Sequence, residues 1–324
     1  MIALNSFYIG ESVNFMKENI PNDFVDLTLT SPPYDNLRKY NGFIFDYKAT
    51  LDELYRVTKN GGTVVWVVGD KTVKGSETLT SFKQALYAKE IGFNIHDTMI
   101  YGKNNPFGTC GNPPLRYSQS FEYIFILTKG RIKTFNPIKV SCKKAGTTTT
   151  LTTRKNRQSD GLPFDYLRAK TDTVKETKIK SNIWMYDTGN NKSTKDKLAF
   201  NHPATFPEQL AEDMLLSYSN ENDIVLDSMC GSGTTCKQSY LNKRNFIGVD
   251  MSEQYINNIC KPRLKDFGWN QKEENKECCK WCDYCFITDL ETNKGTCDLD
   301  IGEHVKLTDD SCSSYIYNDD LNRC

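Results

Sequence analysis

The chain has 324 residues, 38% hydrophobic and 25% charged, enough to bury a substantial core and to house one large catalytic domain with one or two smaller modules. No segment approaches the apolar length needed to span a bilayer, which excludes a membrane-spanning helix, and the first ten residues lack a basic stretch followed by an apolar run, so a cytoplasmic location is expected. The formal charge of zero is a sum of opposed regions: residues 131–157 carry eight Lys/Arg and no Asp/Glu, whereas from Glu273 onward thirteen Asp/Glu stand against five Lys/Arg, as expected when one face meets a polyanion.

Residues 6–9 read as a strand and residues 11–19 as a short helix. Residues 25–30 alternate with period two and predict a strand that runs straight into Ser31-Pro32-Pro33-Tyr34. A helix is expected over 49–58, stopped by Asn60-Gly61-Gly62, and then the continuous apolar run 63–68 predicts a strand covered on both faces. A helix over 79–91 stops at Gly92, and strands over 94–101 and 123–128 flank a loop rich in Pro, Gly and Asn. From Lys129 the chain is Thr-rich and basic with little periodicity, which predicts a loop-rich insert. Regular structure resumes with a helix over 207–217, a strand over 224–226, a Gly-rich turn, a helix ending at Asn242 and a strand over 246–249 ending at Asp250. That is strand, helix, strand at the spacing of a Rossmann-like unit.

Two constellations carry chemistry. Asp227-Ser228-Met229-Cys230-Gly231-Ser232-Gly233-Thr234-Thr235 lies between a strand and a helix, where glycines let the backbone approach a ligand. Asp250, 17 residues after Gly233, ends the next strand and can accept the ribose hydroxyls of an adenosine-bearing cofactor. In the second constellation, Pro32 and Pro33 cannot continue a central strand and bring no N–H donors, so nearby carbonyls are left to accept from a ligand. A base amino group is such a donor. Ser31 can accept another of its protons, and Tyr34 offers a flat face on which an extruded base can stack.

With these motifs in this order, the chain resembles the β class of amino-group DNA methyltransferases, in which the catalytic motif precedes the cofactor motif. The resemblance covers residues 6–264 outside the insert. It implies an α/β Rossmann-like S-adenosylmethionine-dependent methyltransferase with circularly permuted motifs, a loop-rich recognition insert and a Cys-rich C-terminal extension. The implied organisation is a catalytic half over 1–128, a target-recognition insert over 129–200, a cofactor-binding half over 201–267 and an acidic extension over 268–324. The Ser31-Pro32-Pro33-Tyr34 form implies cytosine N4 as the acceptor, with adenine N6 the alternative. A non-catalytic DNA-binding protein that keeps the fold is a further rival. S-adenosyl-L-methionine is the implied cofactor, held by Glu11, Phe206, Pro207, Asp227, Met229, Cys230, Gly231, Ser232, Gly233, Thr234 and Asp250. Lys103-Asn104-Asn105-Pro106 and Glu122-Tyr123 match strands that frame the target-base pocket. DNA is the implied partner, met by Lys143, Lys144, Arg154, Lys155 and Arg157, and a cognate restriction endonuclease acting on the same site is a second candidate partner.

Seven of the twelve cysteines follow Glu277. The C-x-x-C spacing there suits a structural zinc on Cys279, Cys282, Cys285 and Cys297. A clean second C-x-x-C is missing, so reduced thiols remain an equal reading and disulfides the last.

Overall fold

In a computed structural model the chain is described over residues 2–33, 45–105, 116–151, 154–157, 163–166, 170–189, 191–270, 285–289 and 294–297, with backbone alone for 149–172 and for the last two segments. It divides into two units, Met1–Gln271 and Lys272–Cys324. The first is built on one eight-stranded sheet. Its strands are β1 (Ser6–Ile9), β2 (Val25–Thr30), β3 (Thr58–Val68), β4 (Asn94–Lys103), β5 (Phe121–Thr128), β6 (Ile183–Tyr186), β7 (Ile224–Asp227) and β8 (Asn245–Asp250). Their order across the sheet is β1-β8-β7-β2-β3-β5-β4-β6. All neighbours pair parallel except β5, which runs antiparallel to β3 and to β4.

The continuous apolar runs are explained by cover on both faces. On β3, Val64, Trp66 and Val68 join one core with Phe15 and Met16 of helix α1 (Ser12–Asn19), Leu51 and Leu54 of α2 (Tyr47–Val57) and Ala88 of α3 (Thr80–Glu90). Val65 and Val67 point the other way, to Leu210, Met214 and Leu215 of α4 (Glu208–Tyr218). A third cluster gathers Phe7, Phe246, Cys236 of α5 (Thr234–Leu241) and Leu264. Trp66 is buried, and its indole N–H keeps a hydrogen bond by donating to Gln84 Oε1 at 2.8 Å.

Helices α1, α2 and α3 therefore lie on one face and α4 and α5 on the other. Between β2 and β7 the chain leaves the sheet towards opposite faces. That is the point at which an open α/β sheet forms a crevice at the carboxyl ends of its strands.

Three elements differ from expectation. The strand predicted over 63–68 begins at Thr58, directly after α2, so Asn60-Gly61-Gly62 lies inside β3 instead of in a loop. Gly61 takes φ +88° there, and the register against β2 shifts between Val25 and Leu27. The insert is not loop-rich throughout. It forms nested antiparallel pairings, Lys139–Ser141 with Thr177–Ile179, Thr148–Leu151 with Lys170–Thr173, and Arg154–Arg157 with Pro163–Tyr166. Its last strand, β6, joins the edge of the main sheet with Trp184 and Tyr186 buried. In the second unit, Cys285–Asp289 pairs with Lys294–Cys297 as a hairpin that sets Cys285 opposite Cys297. Cys279 and Cys282 lie outside the described residues, as does Tyr34.

Gly248 shows how close the layers sit: a Cβ there would stand 2.6 Å from Cys236 Sγ and 2.7 Å from the Phe7 ring. Gly248→Ala is expected to cost about 1–3 kcal/mol through overpacking, seen as a lowered thermal midpoint in calorimetry. An unchanged midpoint would mean that β8 and α5 are not packed at this distance.

Candidate functional site

A cleft of about 1150 Å³ opens at the carboxyl ends of the parallel strands. Each strand that ends there contributes the residues at or just beyond its end: Gly10, Glu11 and Ser12 after β1, Ser31, Pro32 and Pro33 after β2, Asp227 to Ser232 at and after β7, and Asp250 to Ser252 at and after β8. The antiparallel β5 contributes its beginning, Phe121 and Glu122, because its direction is reversed.

The Gly-rich turn is held from three sides. The Asp250 carboxylate accepts from Gly231 N at 2.8 Å through Oδ2 and from Ser252 N at 2.9 Å through Oδ1. Cys230 N donates to Val249 O at 2.8 Å, and Cys260 Sγ donates to Gly231 O at 3.2 Å. His202 closes the third side. At Gly231, φ is +50°, and a Cβ would come within 2.8 Å of the imidazole, so backbone conformation and space both demand glycine. The imidazole is fixed in turn by Tyr255, 4.6 Å away in an edge-on ring contact, and by Ala204 O, 2.9 Å from Nδ1. Gly233, at φ +73°, starts α5, whose Thr235 donates to Leu29 O at 3.1 Å and so ties the turn to β2. With Leu226 in register with Thr28, Met229 and Ser31 each lie three residues beyond a paired position on adjacent strands.

Two acids stand in the cleft wall. Burial pushes the Asp227 carboxyl up to about 7, with the Thr30 and Thr235 hydroxyls and Met229 N–H working against it and the Asp250 charge adding to it. Burial also raises Asp250, and its two backbone N–H partners oppose that shift. Ser12 Oγ and Ser228 Oγ are buried in the same wall with no partner among the described residues. Burial raises the thiols of Cys230, Cys236 and Cys260, which keeps them protonated.

A model of a family described as DNA methylase matches residues 25–261. The chain belongs to the DNA methylase family. Among curated relatives, the orphan methyltransferase M.BamHII of Bacillus amyloliquefaciens is 52% identical over 263 residues, which is 78% of this chain and 93% of that protein. The type II methyltransferase M.BglII of Bacillus subtilis is 25% identical, over 78% of this chain and 67% of its own length. Among solved structures, the PvuII DNA methyltransferase (cytosine-N4-specific) superposes with a TM-score of 0.57 at 18% identity, over 82% of this chain and 92% of that one. A DNA modification methylase from Thermus thermophilus, complexed with S-adenosyl-L-methionine, gives 0.53 at 22% identity, over 80% of this chain and 93% of that one. At these identities the structural likenesses establish the fold.

In this methylase most of the sequence-predicted site residues converge on the cleft: Ser31, Pro32, Pro33, Glu11, Phe206, Asp227, Met229, Cys230, Gly231, Ser232, Thr234 and Asp250. Pro207 is the N-cap of α4, one residue beyond Phe206, and Gly233 is the N-cap of α5. Glu11 spends its carboxylate on α1, accepting from Val13 N at 3.0 Å and Asn14 N at 2.9 Å. Lys143 and Lys144 are exposed on the turn after Lys139–Ser141. Arg154, Lys155 and Arg157 share the strand Arg154–Arg157, of which the backbone alone is described.

Sequence reading missed the groups that brace the site. Fully buried Arg263 bonds Asp196 Oδ2 at 2.6 Å, Glu208 Oε1 at 2.8 Å and the carbonyl of Ser232 in the turn. Lys237 of α5 adds a contact to Glu208 at 2.8 Å. This network fastens the segment leading to Phe206, the start of α4 and the Gly-rich turn to one another. The sequence signal, Arg and Lys on short helices, is indistinguishable from ordinary surface charge.

Because folded Asp227 holds its proton up to about pH 7 while the unfolded chain releases it near 3.8, folding takes up a proton between those values. Its contribution to stability is complete below about pH 4 and is lost as pH rises through about 7. The ligand-free methylase should therefore lose thermal stability from pH 5 to pH 8, and Asp227→Asn should flatten that slope in calorimetry. Parallel slopes for the two proteins would place the titration elsewhere.

Proposed function

We propose that this methylase transfers a methyl group from S-adenosyl-L-methionine to the exocyclic N4 amine of cytosine in DNA. The observation that carries the reading is the meeting of Ser31-Pro32-Pro33 and the Gly-rich turn in one cleft at the crevice between β2 and β7. The chemistry of the wall fits the cofactor: two acids, a glycine cradle, and the Ser12 and Ser228 hydroxyls, which have no partner among the described residues and which a polar ligand would satisfy. Each Asp250 oxygen has given one acceptor position to a backbone N–H and has capacity left for a ribose hydroxyl. Asp227, Met229, Cys230, Gly231, Ser232, Gly233 and Thr234 form the turn around the cofactor, with Glu11, Phe206 and Pro207 on the flanks. When bound, S-adenosyl-L-methionine supplies an electrophilic sulfonium methyl.

The chain's own residues deal with a weak nucleophile, since the amine lone pair is conjugated with the ring. Ser31 Oγ and the Pro32 carbonyl would accept the amine protons, which favours the pyramidal nitrogen and withdraws its lone pair from conjugation with the ring. No protein nucleophile takes part, in keeping with buried thiols that stay protonated. A base inside a duplex cannot enter the cleft, so the target is flipped out or single-stranded, with Tyr34 as its stacking partner. The basic insert over 129–200, including Lys143, Lys144, Arg154, Lys155 and Arg157, holds phosphates, and a restriction endonuclease of the same specificity is a candidate partner.

DNA incubated with the protein and S-adenosyl-L-methionine, digested to nucleosides and analysed by mass spectrometry, should contain N4-methylcytosine. The signal should fall at least about 100-fold with Ser31→Ala, in the range of removing one preorganised hydrogen-bonding group from an active site. N6-methyladenine would overturn the choice of base and leave the family standing; adenine is the base in the name of a 27% identical relative, the DNA adenine methyltransferase YhdJ of Escherichia coli.

A further inference from the structure

A charged pair lies on the cleft wall opposite the cofactor turn. Lys103 Nζ stands 2.6 Å from Glu122 Oε1, with the side chains 23% and 18% exposed, and 5.5 Å from the centre of the Tyr101 ring. Both residues line the same cleft as Ser31. Alternate residues of a strand share a face, so the rows can be followed to the rim. On β2 the row is Leu27, Leu29, then Ser31. On β5 it is Ile126, Ile124, then Glu122, and on β4 it is Met99, Tyr101, then Lys103. The first members of all three rows pack in the core under α4. Each row turns polar at its last member, where the cleft begins. A hydrophobic continuation would stabilise the sheet at least as well as a half-buried ion pair, so the pair asks for a reason other than stability.

Resting on the cytosine reading, we infer that Lys103, held in place by Glu122, donates to the N3 and O2 acceptors of the flipped cytosine and so selects the base. An ammonium has three N–H donors and Glu122 takes one. Cytosine presents its amine next to two consecutive acceptors, so Ser31 holds N4 while Lys103 meets N3 and O2. Adenine presents one acceptor beside its amine and then a C–H, which leaves the ammonium half satisfied. Glu122 is a positioning residue: it fixes the lysine.

The test is binding in the presence of S-adenosylhomocysteine, on a duplex carrying the mapped methylation site with the target cytosine either present or replaced by an abasic residue. Lys103→Met should weaken the cytosine duplex about 10-fold or more and leave the abasic duplex within about twofold of wild type, the loss expected for a hydrogen bond from a charged donor. Equal loss on both duplexes, or none on either, overturns the inference. A second measurement needs no variant. Wild-type protein should bind about 10-fold more weakly when the target is a 2-aminopyridine nucleoside, which keeps the amine and ring nitrogen but lacks O2, and equal affinity overturns the inference again. The two readings fail separately: N6-methyladenine in the nucleoside analysis defeats the cytosine reading, whereas N4-methylcytosine with indifferent Lys103→Met defeats this inference alone.

Discussion

The Asp250 carboxylate, accepting one backbone N–H on each oxygen, is the interaction on which the site depends. Gly231 and Ser252 belong to turns that leave neighbouring strands, and a single half-buried anion at the end of β8 sets both. With the turn fixed, Gly231 meets His202, Gly233 starts α5, and Thr235 reaches back to the end of β2. A neutral side chain at position 250 would leave at least one of those N–H groups without its charge-assisted partner. The Arg263 network repeats the principle behind the turn, where a buried cation gathers Asp196, Glu208 and the Ser232 carbonyl. Ionic groups buried in this way fix geometry more than they add stability, since breaking one costs far more than replacing the whole set.

The sheet supplies the second constraint. Seven strands run one way, and β2 and β7 become neighbours although nearly 200 residues separate them in the chain. Their connections leave towards opposite faces, so the crevice opens where Ser31 and Met229 emerge side by side. The permuted order of the motifs has no effect on this geometry. What matters is which strands end next to each other. The reversed β5 then brings Glu122 to the same rim, where a sheet parallel throughout would have presented the end of a strand.

Much of this was legible before the structure. Val25–Thr30 and Asn245–Asp250 declared themselves by alternation or by unbroken apolar runs, and Asp227 to Thr235 stood at the right distance from Asp250. What misled was local chemistry overridden at a distance. Gly61-Gly62 reads as a helix stop, yet the pairing of Val25 with Thr58 and of Gly61 N with Lys129 O draws it into β3. The insert lacks an apolar period, and its nested pairings are backbone hydrogen bonds, which leave no hydrophobic signal in the sequence. Arg263 and Lys237 escaped for another reason. A charge announces nothing about its partner when the partner is 29 to 67 residues away.

The measurement that tests the account most directly is calorimetric titration of S-adenosyl-L-methionine into the ligand-free protein and its Asp250→Ala variant, with a thermal scan of the variant to establish that it is folded. Wild type should bind at one site, and the folded variant at least about 10-fold more weakly, the loss of charge-assisted hydrogen bonds to ligand and turn together. A folded Asp250→Ala protein that binds with wild-type affinity would contradict the assignment of this turn as the cofactor site.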